Sequence, residues 1–202
     1  MKTIIPPNPD LTMDDNHVYR YRGRVVPSVT QVINAIMPQF QAGDWYLRRG
    51  QALHKACEFS DLGTLVEASV DDEIKPRVEA WRKFLRESGV TVVQCEIAMV
   101  HPIYMFAGTM DRLVIDDQCW RCLDIKSAIS PQVIVQLGGY SLLTTHNGTR
   151  CKAALAVELR DNGTYSRLNI GRLDLAAAER AFLNVLGTFN FMTQHGLLRE
   201  RK

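Results

Sequence analysis

A chain of 202 residues can enclose one sizeable core with room for a small helical appendage. Its 46% hydrophobic and 23% charged residues are those of a soluble globular protein, and neither a membrane-length apolar run nor a secretory pattern at MKTIIPPNPD is present. The net charge of +2 neither requires nor excludes nucleic acid, while five scattered cysteines speak against a disulfide framework and for a reducing, cytoplasmic setting.

Residues 1–16 carry three prolines and little periodicity, which predicts a loose arm. HVYRYRGRVV then alternates about Arg22-Gly23 as a short hairpin. In PSVTQVINAIM, Ser28 is placed to cap a helix. A second helix is predicted from Asp44 through Gly63, with Trp45, Leu47 and Leu53 available for burial. A third runs from about Asp71 to Ser88, with Pro76 in or near its first turn and Gly89 ending it.

The period then changes to two. In TVVQCEIAMV the residues Val93, Cys95, Ile97 and Met99 form an apolar face, and Glu96 points to the other side. FAGTMDRLVI and CWRCLDIKS read as a hairpin, and Ser130-Pro131 opens a helix to about His146. CKAALAVELR and TYSRLNI form a second hairpin around Asp161-Asn162-Gly163, before a last helix from about Asp174 to Gly196. This order predicts an α/β (α+β) fold with a central mixed sheet of about five strands flanked by helices.

Asp111 and Asp124 are an odd number of residues apart in the FAGTMDRLVI–CWRCLDIKS hairpin, so an even loop puts both carboxylates on one face. With Asp117-Gln118 as the turn they are direct partners, with Cβ atoms roughly 4.5–5.5 Å apart; with Asp116-Asp117 they are diagonal neighbours at about 7–8 Å. Either spacing lets them share a hard divalent cation, which relieves their repulsion. Lys126 follows on the same face, suited to hold or deprotonate a water attacking a phosphate, while Leu123 and Ile125 turn into the core. A bland alternative is an ordinary Asp-Lys pair on a solvent-facing strand. His54 lies in RRGQALHKACE close behind Arg48 and Arg49, and Gln136 and Tyr140 share one face of the helix that follows Lys126.

In chain order, the motifs GQALH (G-x-x-x-H), CE, AGTMD, LDIK and QLGGY (Q-x-x-x-Y) resemble those of the PD-(D/E)XK nuclease superfamily, in its RecB-type and phage exonuclease branch. The resemblance spans about residues 25 to 195. It implies a restriction-endonuclease-like core over residues 91–196, preceded by a hairpin and helical region over 17–90. It also implies magnesium or manganese held by His54, Asp111, Asp124 and the carbonyl of Ile125. Lys126 would position the attacking water, and Gln136 and Tyr140 would orient that lysine or the substrate backbone. Arg48 and Arg49 would contact substrate. Glu96 would support the site, add a metal contact or pair with Arg48. The implied activity is exonucleolytic hydrolysis of DNA in phage or bacterial recombination, replication or repair, in some relatives beside a single-strand annealing protein. Alternatives are an endonuclease of the same fold and a DNA-binding module without catalysis; retention of His54, Asp111, Asp124 and Lys126 argues against the latter.

Other features invite competing readings. Cys119 and Cys122 form a C-x-x-C, but a structural zinc site needs four ligands and no second pair is present, so both are expected to be strand residues. Trp45 and Trp81 are expected in the core. Gly138-Gly139 suggests close helix–sheet packing or room for a nucleic-acid backbone.

Overall fold

The computed structural model describes residues 4–37, 43–117 and 119–198. Three short strands, β1 (Leu11–Met13), β2 (Tyr19–Tyr21) and β3 (Arg24–Val26), form an antiparallel sheet. Arg22 and Gly23 make the β2–β3 turn with φ values of 49° and 76°, a left-handed pair suited to two-residue hairpins. The expectation of a loose arm does not hold for the described part of 1–16. Leu11 pairs with Tyr21, and the backbone N–H groups of Ile4 and Ile5 donate to Gln94 Oε1 at 3.1 and 3.0 Å. Ile5 is buried in the main core. Prolines excluded a helix there, but not docking.

Helix α1 (Val29–Ile36) starts at a capping box in which the Ser28 side chain accepts from Gln31 N. Helix α2 (Asp44–Leu62) stops at Gly63, whose φ of 70° provides a left-handed cap. Helix α3 (Lys75–Ser88) begins later than Asp71, because the chain first turns through residues 71–74 and Pro76 takes the helix start.

The larger sheet holds β4 (Thr91–His101), β5 (Phe106–Ile115), β6 (Trp120–Lys126), β7 (Ala153–Leu159) and β8 (Tyr165–Ile170), in that spatial order. Only β6–β7 is parallel, so the sheet is mixed, as the sequence predicted. That parallel pair requires a crossover, supplied by α4 (Gln132–His146), which starts after Pro131 with no side-chain cap from Ser130. Helix α5 (Arg172–Gln194) follows β8.

Helices cover both faces of the sheet. On one side Val32, Leu137, Leu143 and Phe182 pack with Ile97, Met110, Cys122 and Ala154. On the other, Leu53, Cys57, Trp81 and Phe84 pack with Val114, Leu123, Ile125 and Val157. Strand β6 is therefore buried on both faces, and its Asp and Lys do not lie on a solvent-facing strand. Among the described residues no helix is long and apolar enough to cross a membrane.

The paired glycines of α4 serve helix–helix contact rather than helix–sheet contact or a nucleic-acid backbone. A Cβ at Gly138 would fall 2.4 Å from the backbone carbonyl of Ala178 in α5, and one at Gly139 would fall 3.0 Å from the Phe182 ring.

Candidate metal and catalytic site

The β5–β6 ladder runs from Ile115–Trp120 to Arg112–Leu123, and Asp111 and Asp124 follow on the two strands immediately beyond that last pair. The register is the one expected for the direct-partner alternative, although the ladder stops one pair short of the aspartates; Gln118 of the expected turn lies outside the described residues. Both carboxylates are buried, at 8% and 1% exposure. Asp111 Oδ2 accepts from the Ile125 backbone N–H at 2.7 Å and lies 3.3 Å from His54 Nδ1 on α2. Lys126 Nζ lies 2.7 Å from Asp124 Oδ2. Thus His54, Asp111, Asp124 and Lys126 meet at one place, brought there by one helix and two strands.

Glu96 joins them from β4. The flanking pairs Cys95–Arg112 and Ile97–Met110 put Glu96 across from Asp111. Its φ is 47°, uncommon for a residue with a side chain. Ligand atoms of His54, Glu96 and Asp111 all lie within 4.8 Å of one another. Two carboxylate oxygens and one imidazole nitrogen form a donor set that fits a divalent cation of the magnesium-to-manganese type, and Asp124 lies near enough to Asp111 and His54 to feel the charge of both. The partner of Glu96 is Arg112, whose Nη1 donates to Glu96 Oε1 at 3.0 Å, and not the exposed Arg48.

Burial and charge oppose each other throughout the cluster. Burial lowers the His54 imidazole, but the Asp111 carboxylate outweighs it and the net shift is upward. For Asp111, burial raises the carboxyl, yet His54, Lys126 and the Ile125 N–H bring it down to about 2. Burial drives Asp124 up to about 6, with Asp111 adding to the rise against the attraction of Lys126. A raised folded-state pKa stabilises the fold below the unfolded value and loses that contribution as pH rises through the folded one. In chelator-treated protein, the contributions of Asp124 and then His54 to the melting temperature should therefore fall as pH rises from 4 to 8, while buried His101, whose imidazole burial holds down to about 4, contributes in the opposite direction. His54→Ala should remove the upper limb of that fall, and a melting profile identical to the wild type would show that the His54–Asp111 pair contributes nothing.

Tyr140 is buried and its hydroxyl accepts from Gln136 Nε2 at 3.1 Å, so these two helix residues do meet. Burial, then Asp124 and Asp111, push the Tyr140 hydroxyl well up, which places it in the field of the carboxylates. Arg48 and Arg49 are not brought to this cluster. With Trp45 and Ala52 they follow the helical repeat along a different face of α2 from His54, lining a cavity of about 230 Å³ with Ile74 and Asp71. Arg49 is paired with Asp161. Trp45 and Leu47, expected to be buried, are 48% and 55% exposed; Trp81 and Leu53 are buried as expected.

Cys119 precedes β6, whereas Cys122 is in the core with its sulfur 3.8 Å from Thr144 Oγ1. Neither belongs to a metal-capable group among the described residues. Replacing both by serine should leave the metal content of the purified protein unchanged. Loss of a stoichiometric metal in that variant would reveal a site at these thiols.

Two residues of the cluster escaped the sequence reading, Arg112 and Asp61. The visible signal was a charged residue directly after Asp111, inside an apolar strand that continues Leu113-Val114-Ile115.

No protein-family profile and no curated protein sequence matches the chain. Among solved structures it is similar to an alkaline exonuclease, LHK-Exo from Laribacter hongkongensis. That match has 18% identity and a TM-score of 0.41, covering 84% of this chain and 92% of the other. LHK-Exo in complex with dAMP gives 18% identity and a TM-score of 0.40, covering 85% and 93%. A structure of SSO0001 gives 13% and 0.35, covering 79% and 84%.

Proposed function

We propose that the protein is a divalent-metal-dependent deoxyribonuclease that hydrolyses phosphodiester bonds from DNA ends. The observation that carries this reading is the convergence of His54, Asp111 and Asp124 on one site that also holds Lys126, with both aspartates buried and Glu96 at its exposed side. Structural salt bridges rarely gather so many carboxylates beside one ammonium and one imidazole, because each added charge raises the cost of burial. His54, Asp111 and Asp124, with the Ile125 carbonyl, would hold magnesium or manganese, and Glu96 would join from β4. A bound cation would stabilise developing phosphate charge and make a bound water acidic enough to attack.

The chain's own groups do the remainder. Lys126, fixed by Asp124, would hold the attacking water or a phosphate oxygen through its N–H donors. Tyr140, supported by Gln136, would orient the lysine or the scissile phosphate. Arg48 would contact the DNA backbone outside the site, and Arg49 would do so on release from Asp161. No G-x-x-x-x-G-K motif is present in the sequence, so a motor is not part of the reading. The setting is proposed to be the cytoplasm of a bacterial cell, in phage or host recombination or repair.

The decisive experiment compares end-labelled linear DNA with closed circular single-stranded and duplex DNA, in magnesium or manganese. Linear substrates should be degraded from their ends, with manganese active at the lower concentration because the imidazole is a softer ligand than oxygen. Rapid cutting of closed circles would redirect the reading to an endonuclease. No hydrolysis of any substrate with either metal would sink it.

A further inference from the structure

Behind the cluster lies a second constellation. Arg112 is fully buried at 0% exposure on β5, and its Nε donates to Asp61 Oδ2 at 2.6 Å. The Asp61 side chain is also at 0% exposure, and its second oxygen accepts from Trp81 Nε1 at 2.8 Å. Arg112 Nη1 reaches two further acceptors, Glu96 Oε1 at 3.0 Å and the Asp111 carbonyl oxygen at 2.7 Å. One guanidinium thus ties together the end of α2, the bent backbone of β4 and the peptide that carries Asp111. Those three elements supply His54, Glu96 and Asp111. His54 lies seven residues before Asp61 on the same helix, about 10 Å along its axis.

We propose that Arg112, anchored by Asp61, is a positioning residue that sets the Glu96 carboxylate against His54 and Asp111 for cation binding. The proposal rests on the reading of this cluster as a divalent-metal site. Three features support it over simple structural pairing. Arg112 binds only one of the two Glu96 oxygens, which leaves Oε2 for the cluster. Its positive charge offsets the repulsion that would otherwise push Glu96 and Asp111 apart. The left-handed backbone at Glu96, flanked by the Cys95–Arg112 and Ile97–Met110 pairs, aims a side chain whose carboxylate Arg112 then holds. Lysine cannot replace this function, because a single ammonium lacks the planar fork that serves Asp61 and Glu96 at once.

The test measures manganese binding calorimetrically without DNA, at one pH, beside thermal melting. Wild type, Arg112→Lys, Glu96→Gln and the double variant form a cycle. Each single variant should weaken manganese binding about 10- to 100-fold. The double variant should bind no more weakly than the weaker single, because Arg112 acts through Glu96. Manganese affinity unchanged in Arg112→Lys, with only a lower melting temperature, would overturn the proposal. Losses that multiply in the double variant would overturn it too. If Arg112→Lys does not fold, Asp61→Asn takes its place in the cycle with the same criteria, since asparagine keeps an acceptor for Trp81. A wild-type protein that binds no manganese would remove the metal reading and this proposal together. Binding that persists without DNA hydrolysis would remove only the nuclease reading.

Discussion

Asp124→Asn and Lys126→Ala are each expected to slow DNA hydrolysis by about 10³-fold, the scale of losing a positioned acid–base group. Asparagine keeps the shape of Asp124 but removes the charge that holds Lys126 at 2.7 Å and that would face a cation beside Asp111. Alanine at 126 removes the only lysine paired to the cluster among the described residues, and with it the donor proposed for the attacking water. Neither change touches the face of β6 on which Leu123 and Ile125 lie in the core with α2 and α3. The loss should thus appear in single-turnover cleavage of an end-labelled strand while the circular dichroism spectrum stays native. Wild-type rates in both variants would remove the site assignment.

The second large effect is on stability. Gly138→Ala should destabilise the fold by on the order of 3 kcal/mol, at the upper end of overpacking changes. The added methyl would fall 2.4 Å from the carbonyl of Ala178 and 2.7 Å from the Glu179 nitrogen. These are backbone atoms of a long helix, which cannot step aside as a side-chain tip can. Separating α4 from α5 would also loosen the Ser141–Glu179 hydrogen bond of 2.6 Å. Gly139→Ala meets the movable Phe182 ring at 3.0 Å and should cost less. Denaturant melts of the two variants check the ranking, and equal stability of Gly138→Ala and wild type would contradict it.

The sheet and the facing aspartates were legible because strand alternation and an odd spacing constrain each other. Once the turn is fixed, Asp111 and Asp124 have little choice. His54 was legible only by resemblance, since nothing in the spacing of α2 residues distinguishes a site histidine from a core one. The exposure of Trp45 and Leu47 was misread because apolar residues at a helix start need a partner surface, and the sequence does not say where α3 will lie. Glu96 was assigned its face by alternation, but its left-handed φ and the register shift between Val92 and Gln94 lie beyond a two-residue period. Arg112 was missed for a related reason. A charged residue in a strand reads as outward-facing until a buried carboxylate from a distant helix, here Asp61, is known to wait for it.

Anyone seeking a more heat-resistant variant would be drawn to Glu96. A side chain held at a φ of 47° costs about 1 kcal/mol that glycine would not, so Glu96→Gly relieves strain at the backbone. The same change strips the cluster of a carboxylate and leaves Arg112 with one fewer acceptor. Thermostability selections that ignore activity would therefore tend to erode this position, and libraries built for robustness should hold it fixed.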